Sequence, residues 1–276
     1  MVYGGLVVET TLDPRQQPFL FDHAMDGTPL LPGVMGAETF AELATLAAPG
    51  YRVAAVENAE FANPFKFYRM QPQTLALTVS AEPLANGDLL AHTSLRSQRE
   101  LAKAGLPAQE KLHFSANVRL TRAELTPPTP INYAPPSGPG IPAADIYRIY
   151  FHGPAYQVLD QVWVKGQRAV GRLRHTLPPD TDPAELVLIM APRLIELCFQ
   201  TAGVWDIKTN GVMALPLAFK SVTTYRRPPV SHEPTLYALV EAQGGLYNAR
   251  VVDESGQVYV SLTAYRTVAL EGTVNL

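Results

Sequence analysis

The sequence predicts an α+β fold of two similar halves, each an antiparallel sheet wrapped around one long apolar helix. Three observations point there. Each half runs from strand-like segments through one long helical segment into about four further strand-like segments. A proline-rich stretch at residues 127–142 separates the halves near mid-chain. With 276 residues, 47% of them hydrophobic, the chain can fill one large core or two small ones.

The elements follow in order. Residues 3–11 alternate as a strand. Residues 33–48 carry Ala, Leu, Phe and Glu without an internal proline and predict a helix. Alternation and β-branched or aromatic content predict strands at 52–67, 74–81, 88–98 and 111–122. Prolines 127, 128, 130, 135, 136, 139 and 142 block helix interiors and sheet centres, so this stretch reads as an extended linker. Beyond it, 145–150 predicts a short helix, 156–166 and 169–176 strands, and 183–204 a long helix. Strands at 213–226, 235–241, 247–253 and 257–268 complete the second half. Two sheets pairing edge to edge would bury both helices and remove exposed edges.

Composition excludes several classes. A net charge of −3 and a charged share of 17% speak against a charge-rich disordered chain and against a nucleic-acid surface. No apolar run approaches the ~18–20 residues of a membrane span, so no membrane partner is expected. Met1-Val-Tyr-Gly-Gly-Leu6 has no basic n-region, so no secretory signal is expected. Cys198 is the single cysteine, which leaves no intramolecular disulfide, cysteine-rich zinc site or iron–sulfur cluster. A cytoplasmic location is expected. G-x-S-x-G, G-x-G-x-x-G and H-E-x-x-H are all missing, which counts against elbow-type hydrolases, dinucleotide enzymes and zincins.

The chemistry concentrates in Phe21-Asp-His-Ala-Met-Asp-Gly-Thr-Pro-Leu-Leu-Pro-Gly-Val-Met-Gly-Ala-Glu38. His23 precedes a turn holding Gly27 and Pro29, and Pro32 and Gly33 open the helix, where proline costs little. A histidine is thereby held near free backbone N–H groups and the positive end of a helix dipole. Neutral imidazole takes a proton near neutral pH, and a helix N-terminus holds a developing oxyanion. Together they suit proton abstraction beside a carbonyl. A lone histidine reads more simply as a turn or core side chain; the spacing around it favours the chemical reading.

His23, Gly27 and Pro32 fit H-x-x-x-G-x-x-x-x-P, which resembles the signature of polyketide and fatty acid synthase dehydratase domains. Pro32-Gly-Val-Met-Gly-Ala-Glu38 also resembles the helix start of bacterial single-hotdog hydroxyacyl-carrier-protein dehydratases. Phe151-His-Gly-Pro-Ala-Tyr-Gln157 resembles their Tyr-Gly-Pro-x-Phe segment, with His152 for tyrosine and Tyr156 for phenylalanine. In Pro192-Arg-Leu-Ile-Glu-Leu-Cys-Phe-Gln-Thr-Ala-Gly203, Glu196 and Gln200 lie one turn apart on one face. The family reads Asp-x-x-x-Gln or Asp-x-x-x-His there, so glutamate is a departure that adds about 1.5 Å of reach. Apolar neighbours Leu194, Ile195, Leu197, Cys198 and Phe199 favour a buried working acid over a surface carboxylate, with a raised pKa expected from burial.

The resemblance implies a double hotdog: an N-terminal hotdog at 1–126, the proline-rich linker at 127–142 and a C-terminal hotdog at 143–276, joined as one pseudo-dimeric domain. It implies a hydro-lyase that dehydrates a 3-hydroxyacyl chain on the phosphopantetheine arm of an acyl carrier protein, without metal or organic cofactor. His23 would take the α-proton, Gly33 N–H would hold the thioester oxygen, Glu196 would protonate the leaving hydroxyl and Gln200 would orient it. Gly27, Pro32, Gly33, His152 and Tyr156 would form the substrate site. Glu38 is the competing acid, but Thr181, Asp182 and Pro183 stand where its histidine partner would be, so one complete site is expected. Partners would be a carrier protein, neighbouring synthase domains and a second copy through the strand at 3–11. Arg96, Arg99 and Lys103, or Arg226 and Arg227, are candidates for carrier docking, with solvated loop charges as the simpler reading. His92 and His113 fall in strands without an assigned role, and Cys198 reads as a small buried hydrophobe. A double-bond isomerase or cyclising variant remains an alternative. So does a non-catalytic acyl-chain-binding module of a megasynthase, which the glutamate substitution motivates.

Overall fold

The computed structural model describes residues 3–99, 109–184, 186–227 and 234–276. The first half contains β1 (Tyr3–Leu12), α1 (Pro18–Phe21), β2 (Ala24–Met25), β3 (Thr28–Pro29), α2 (Gly33–Ala47), β4 (Arg52–Phe61), β5 (Gln73–Pro83), β6 (Leu89–Arg99) and β7 (Gln109–Thr121). The second contains β8 (Ile141–Pro142), α3 (Ala143–Ile146), β9 (Leu159–Lys165), β10 (Arg168–Leu173), α4 (Pro192–Asn210), β11 (Ala214–Thr224), β12 (Leu236–Gln243), β13 (Leu246–Asp253) and β14 (Val258–Ala269).

Twelve strands form one antiparallel sheet in the order β1-β5-β6-β7-β4-β11-β14-β13-β12-β10-β9-β8. The halves meet at its centre, where Ala59 of β4 pairs with Phe219 of β11 and Val56 with Val222. On β5, Leu75, Leu77, Val79 and Ala81 are buried at alternate positions, so one face of the strand turns inward onto α2. Both central helices are buried around most of their circumference, α2 through Val34, Ala37, Phe40, Ala41 and Ala44, and α4 through Leu194, Ile195, Leu197, Cys198 and Ala202. A helix apolar on most faces is a core element, which is what a wrapping sheet requires. Glycines permit the closest approaches. A Cβ on Gly36 would lie 2.6 Å from the Phe114 ring, and one on Gly171 would collide with Thr201 of α4. This is the double hotdog that the sequence predicts.

The short helix expected at 145–150 spans Ala143–Ile146, α4 continues to Asn210 rather than ending at 204, and three further boundaries differ for a visible reason. The long helix of the second half starts at Pro192, not at 183. Proline inside a helix loses a hydrogen bond and clashes with the preceding turn, so Pro192 serves at the first position. Ala191 before it is left-handed at φ 52°, and the amides of Ile189 and Met190 are bound by Glu38. Strand β4 ends at Phe61 because the chain beyond it leaves the sheet to brace the segment after His23. The Leu31 amide donates to Phe65 O, and the Phe67 amide to Pro29 O. Residues 154–156 form a 3₁₀ turn rather than the start of β9.

Residues 127–140 form no regular element, and Ile141–Pro142 joins the sheet as its short edge. The stretch rests on the second half: Ile131 N–H donates to Gly256 O at 2.8 Å, and Trp163 Nε1 donates to Gly138 O at 3.0 Å. Of the side chains without an assigned role, His113 is buried, with Nδ1 3.1 Å from Asn63 O, and His92 is exposed beside Glu82. Cys198 is buried, and burial pushes its thiol pKa up. Among the described residues, no helix is long and apolar enough to cross a membrane.

Candidate active site

The local chain path fixes the orientation of His23. β2 and β3 form a hairpin whose turn uses Asp26 at φ 50° and Gly27 at φ 72°. It returns Leu30 to His23: the Leu30 amide donates to His23 O at 2.9 Å, and Leu30 O lies 2.9 Å from His23 Nδ1. A carbonyl only accepts, so Nδ1 carries the hydrogen and Nε2 holds the lone pair. Pro32 caps α2, and Gly33 follows at the first helical position, where its N–H has no acceptor within the helix.

The second half is interlocked with this loop. His23 and His152 form an isolated antiparallel bridge. Asp22 clasps the turn after His152: its backbone oxygen accepts from Gly153 N at 2.7 Å, and its Oδ2 accepts from Ala155 N at 2.8 Å. A Cβ on Gly153 would lie 2.9 Å from Asp22 Cα. Gly153→Ala is therefore expected to destabilise the fold by about 1–3 kcal/mol, the usual cost of overpacking. Thermal unfolding checks this, and unchanged stability would show that the clasp yields.

Glu196 and Gln200 project from α4, both buried. Gln200 Nε2 donates to Glu196 Oε1 and to Tyr156 O, each at 2.9 Å. Gln200 Oε1 accepts from Tyr147 O–H at 2.8 Å, and that hydroxyl accepts from Leu159 N at 2.7 Å. The amide thus has one orientation. His152 Nε2 lies 3.3 Å from Glu196 Oε1, and His152 Nδ1 is buried without a hydrogen-bond partner. A buried lone pair is tolerated better than a buried unpaired N–H, so the hydrogen sits on Nε2, beside Glu196.

His23, Gly33, His152, Glu196 and Gln200 line one cavity of about 100 Å³. Its walls are largely apolar, with Phe61, Phe114 and Phe199 among them. The His23 and His152 rings are 5.3 Å apart, edge to face. Three sequence candidates sit elsewhere. Gly27 occupies the exposed hairpin turn, Pro32 caps the helix, and Tyr156 is fully buried with its ring 5.9 Å from that of His23. These three support the wall rather than form it.

Burial, then the neighbouring His152, lowers the His23 pKa from 6.5 to about 4. The imidazole is neutral at neutral pH, with its Nε2 lone pair available. Glu196 departs from expectation. Burial does push its carboxyl up, but contact with His152, the nearby His23 and the Gln200 hydrogen bond outweigh it, and the pKa falls below its ordinary value. Sequence reasoning placed both imidazoles at the site but set the direction of the Glu196 pKa from the apolar neighbours alone.

Glu38 lies outside this cavity. Its two oxygens accept from Ile189 N at 2.5 Å and Met190 N at 2.7 Å, so it ties α2 to the loop entering α4. Burial raises its pKa to about 7, against those two hydrogen bonds. The clasp of Asp22 and the Tyr147 buttress carried no local sequence signal, since their partners lie far along the chain. Of the docking candidates, Arg96 is 3.9 Å from Glu110, and Arg226 donates to Gln257. Lys103 and the Arg99 side chain lie outside the described residues.

Two family models match most of the chain. Residues 2–93 match the model described as polyketide synthase dehydratase domain. Residues 141–275 match the one described as polyketide synthase dehydratase N-terminal domain. The chain belongs to the polyketide synthase dehydratase family. This dehydratase domain is 25% identical over 275 residues to a polyunsaturated fatty acid synthase polypeptide of Thraustochytrium sp., which covers 94% of the chain and 9% of that protein. It is 28% identical over 177 residues to mycoketide-CoA synthase of Mycobacterium tuberculosis, covering 62% of the chain and 4% of that protein. The chain thus spans less than a tenth of the length of these multidomain relatives. Among solved structures, the dehydratase domain from the CurF module of curacin polyketide synthase superposes with a TM-score of 0.77 at 17% identity, covering 97% of this chain and 94% of that one. A trans-AT polyketide synthase dehydratase domain from Brevibacillus brevis gives 0.75 at 18% identity, with the same coverage. These likenesses establish the fold of the dehydratase domain.

Proposed function

We propose that this domain eliminates water from a 3-hydroxyacyl thioester, carried on the phosphopantetheine arm of an acyl carrier protein, to give a 2-enoyl thioester. One observation carries the reading: a neutral histidine from one half and a carboxyl group from the other line the same apolar cavity.

His23 Nε2 removes the proton from the carbon beside the thioester carbonyl. The N–H of Gly33, at the positive end of α2, holds the oxygen as negative charge builds. The C–O bond at the 3-position then breaks, and the hydroxyl leaves as water once it gains a proton. In the reactive form of the Glu196–His152 pair that proton is carried on Glu196 Oε2, with Glu196 Oε1 3.3 Å from His152 Nε2. Gln200 fixes Glu196 Oε1, which leaves Oε2 for the substrate hydroxyl. After elimination His23 holds one extra proton and the pair lacks one, so a single proton transfer resets the site. The apolar wall excludes water and strengthens each of these interactions.

The relatives' place in multidomain synthases supports a carrier protein and neighbouring synthase domains as partners, and a cytoplasmic setting. Pairing of two copies through the free edge of β1 remains part of the proposal, as does the division into two hotdogs at 127–142. Incubation with a carrier-bound 3-hydroxyacyl thioester tests the function. The expected product is lighter by one water, with a 2,3 double bond by NMR. A product with a shifted double bond or a ring would favour the isomerase or cyclising alternative, and no turnover would favour a binding module.

A further inference from the structure

A cross-strand row leads out of the catalytic cavity. His152 pairs with His23, the Leu30 amide donates to His23 O across the β2–β3 hairpin, and Leu30 pairs with Lys66. Residues opposite each other in antiparallel pairs share a face, so these four side chains stand in one row. His152, His23 and Leu30 line the cavity, and Lys66 is exposed. At about 4.8 Å per strand, Lys66 Cα lies about 10 Å from His23 Cα. Burial alternates along the segment that carries Lys66: Phe65 and Phe67 are buried, while Pro64, Lys66 and Tyr68 are exposed. Of the residues lining the cavity, Pro64 alone is exposed, so the cavity meets the surface there. An exposed strip thus runs from the mouth over Lys66 to Tyr68 and Arg69.

The strip is cationic and not neutralised by the protein. Arg119, Arg168 and Arg172 each pair with a carboxylate. The side chains of Lys66 and Arg69 have no ion pair or hydrogen bond among the described residues. Arg69 and Met70 are both left-handed at φ 55°, a conformation that costs non-glycine residues free energy, and the turn holds Arg69 in solvent despite that cost. The phosphopantetheine arm brings a matching charge, because it joins its carrier through a phosphodiester, an anion at neutral pH. Thirteen bonds separate the arm's sulfur from that phosphorus, roughly 16 Å when extended at about 1.2 Å per bond. With the α-carbon at His23, the phosphodiester emerges within reach of Lys66, whose own side chain extends about 6 Å from Cα.

We propose that the strip of Lys66 and Arg69 is where an acyl carrier protein docks, with its phosphodiester against these two cations. The proposal rests on the dehydratase reading and adds the surface on which the partner lands. The arm passes the mouth at Pro64 and delivers the thioester to His23. Arg96 and Arg226 are held by Glu110 and Gln257, whereas Lys66 and Arg69 keep their charge for the partner.

The test compares wild type with the double variant Lys66→Glu, Arg69→Glu on 3-hydroxybutyryl thioesters of N-acetylcysteamine, of pantetheine and of a phosphopantetheinylated polyketide synthase carrier protein. The double variant is expected to lower kcat/KM for the carrier-bound substrate by about tenfold or more, through KM, because attraction becomes repulsion. Added salt should narrow that gap by screening both charges. The N-acetylcysteamine and pantetheine thioesters lack the phosphate, and their turnover should be unchanged, which also certifies the fold of the variant. An equal loss on all three thioesters overturns the proposal, as does an unchanged KM for the carrier-bound one. Binding is read apart from turnover by titrating the phosphopantetheinylated carrier protein, and its Kd should weaken about tenfold or more in the variant. A Kd equal to that of wild type overturns the docking surface even where wild type is an active dehydratase. If wild type dehydrates none of the thioesters yet binds the carrier through Lys66 and Arg69, the dehydratase reading fails and the docking surface stands.

Discussion

His23→Ala is expected to lower kcat/KM on a carrier-bound 3-hydroxyacyl thioester by about 10²–10⁴-fold, the usual worth of a positioned base. The hydrogen bond from Nδ1 to Leu30 O leaves Nε2 as the only imidazole nitrogen free to accept a proton. The pH profile makes the expectation sharper. Burial lowers the His23 pKa from 6.5 to about 4, so the base stays active until the pH falls through about 4. An acid limb at the ordinary histidine value would show that the imidazole is solvated in the working enzyme. Stability carries the same signature. Between pH 6.5 and about 4 the unfolded chain binds a proton that the folded chain refuses, so stability falls as the pH drops through that window. His23→Phe should remove that slope, measurable by denaturant unfolding at several pH values.

Glu196→Gln is expected to cost a similar 10²–10⁴-fold, because the amide keeps the shape but cannot supply a proton, and a lost acid weighs about as much as a lost base. Its oxygen can still accept from Gln200, so the side chain should stay in place. Glu38→Gln provides the contrast. Both Glu38 oxygens accept backbone N–H groups, and an amide can satisfy only one of them. The expected result is a loss of about 1–3 kcal/mol of stability, from one unsatisfied buried donor. Turnover should stay within about tenfold of wild type, short of the range for a lost acid. The pH dependence runs opposite to that of His23: Glu38 titrates near 7 when folded and near 4.5 when unfolded, so its contribution weakens as pH rises through that window. An inactive Glu38→Gln beside an active Glu196→Gln would reverse the assignment.

Local rules made much of this domain legible from its sequence. Alternation exposed β5 and β6, because one face of each strand turns to the core and the other to solvent. Pro32-Gly33 announced the start of α2, since proline is tolerated at a helix entrance and nowhere inside. The helix expected at 183–204 ran through Pro192 against that rule, and so misplaced the start of α4. The apolar run at 186–191 looks helical by composition, yet Glu38, about 150 residues away, binds two of its amides. Long-range contacts also hid parts of the site. The clasp of Asp22 on Gly153 and the Tyr147 support of Gln200 join segments whose proximity no spacing reveals. The Glu196 pKa failed for the same reason. Its helix neighbours are apolar, while the groups that decide its charge, His152 and His23, come from other segments.

The central claim is that one bound thioester touches both halves of the chain at once. A crystal structure of Glu196→Gln with a non-eliminating amide analogue of a 3-hydroxyacyl thioester tests it most directly. The α-carbon should lie about 3–3.5 Å from His23 Nε2, the spacing of a near-attack geometry. The 3-hydroxyl should meet the side chain at position 196, and the carbonyl oxygen should face the Gly33 amide. An analogue that reaches His23 without approaching position 196, or that settles in a different cavity, would contradict the account.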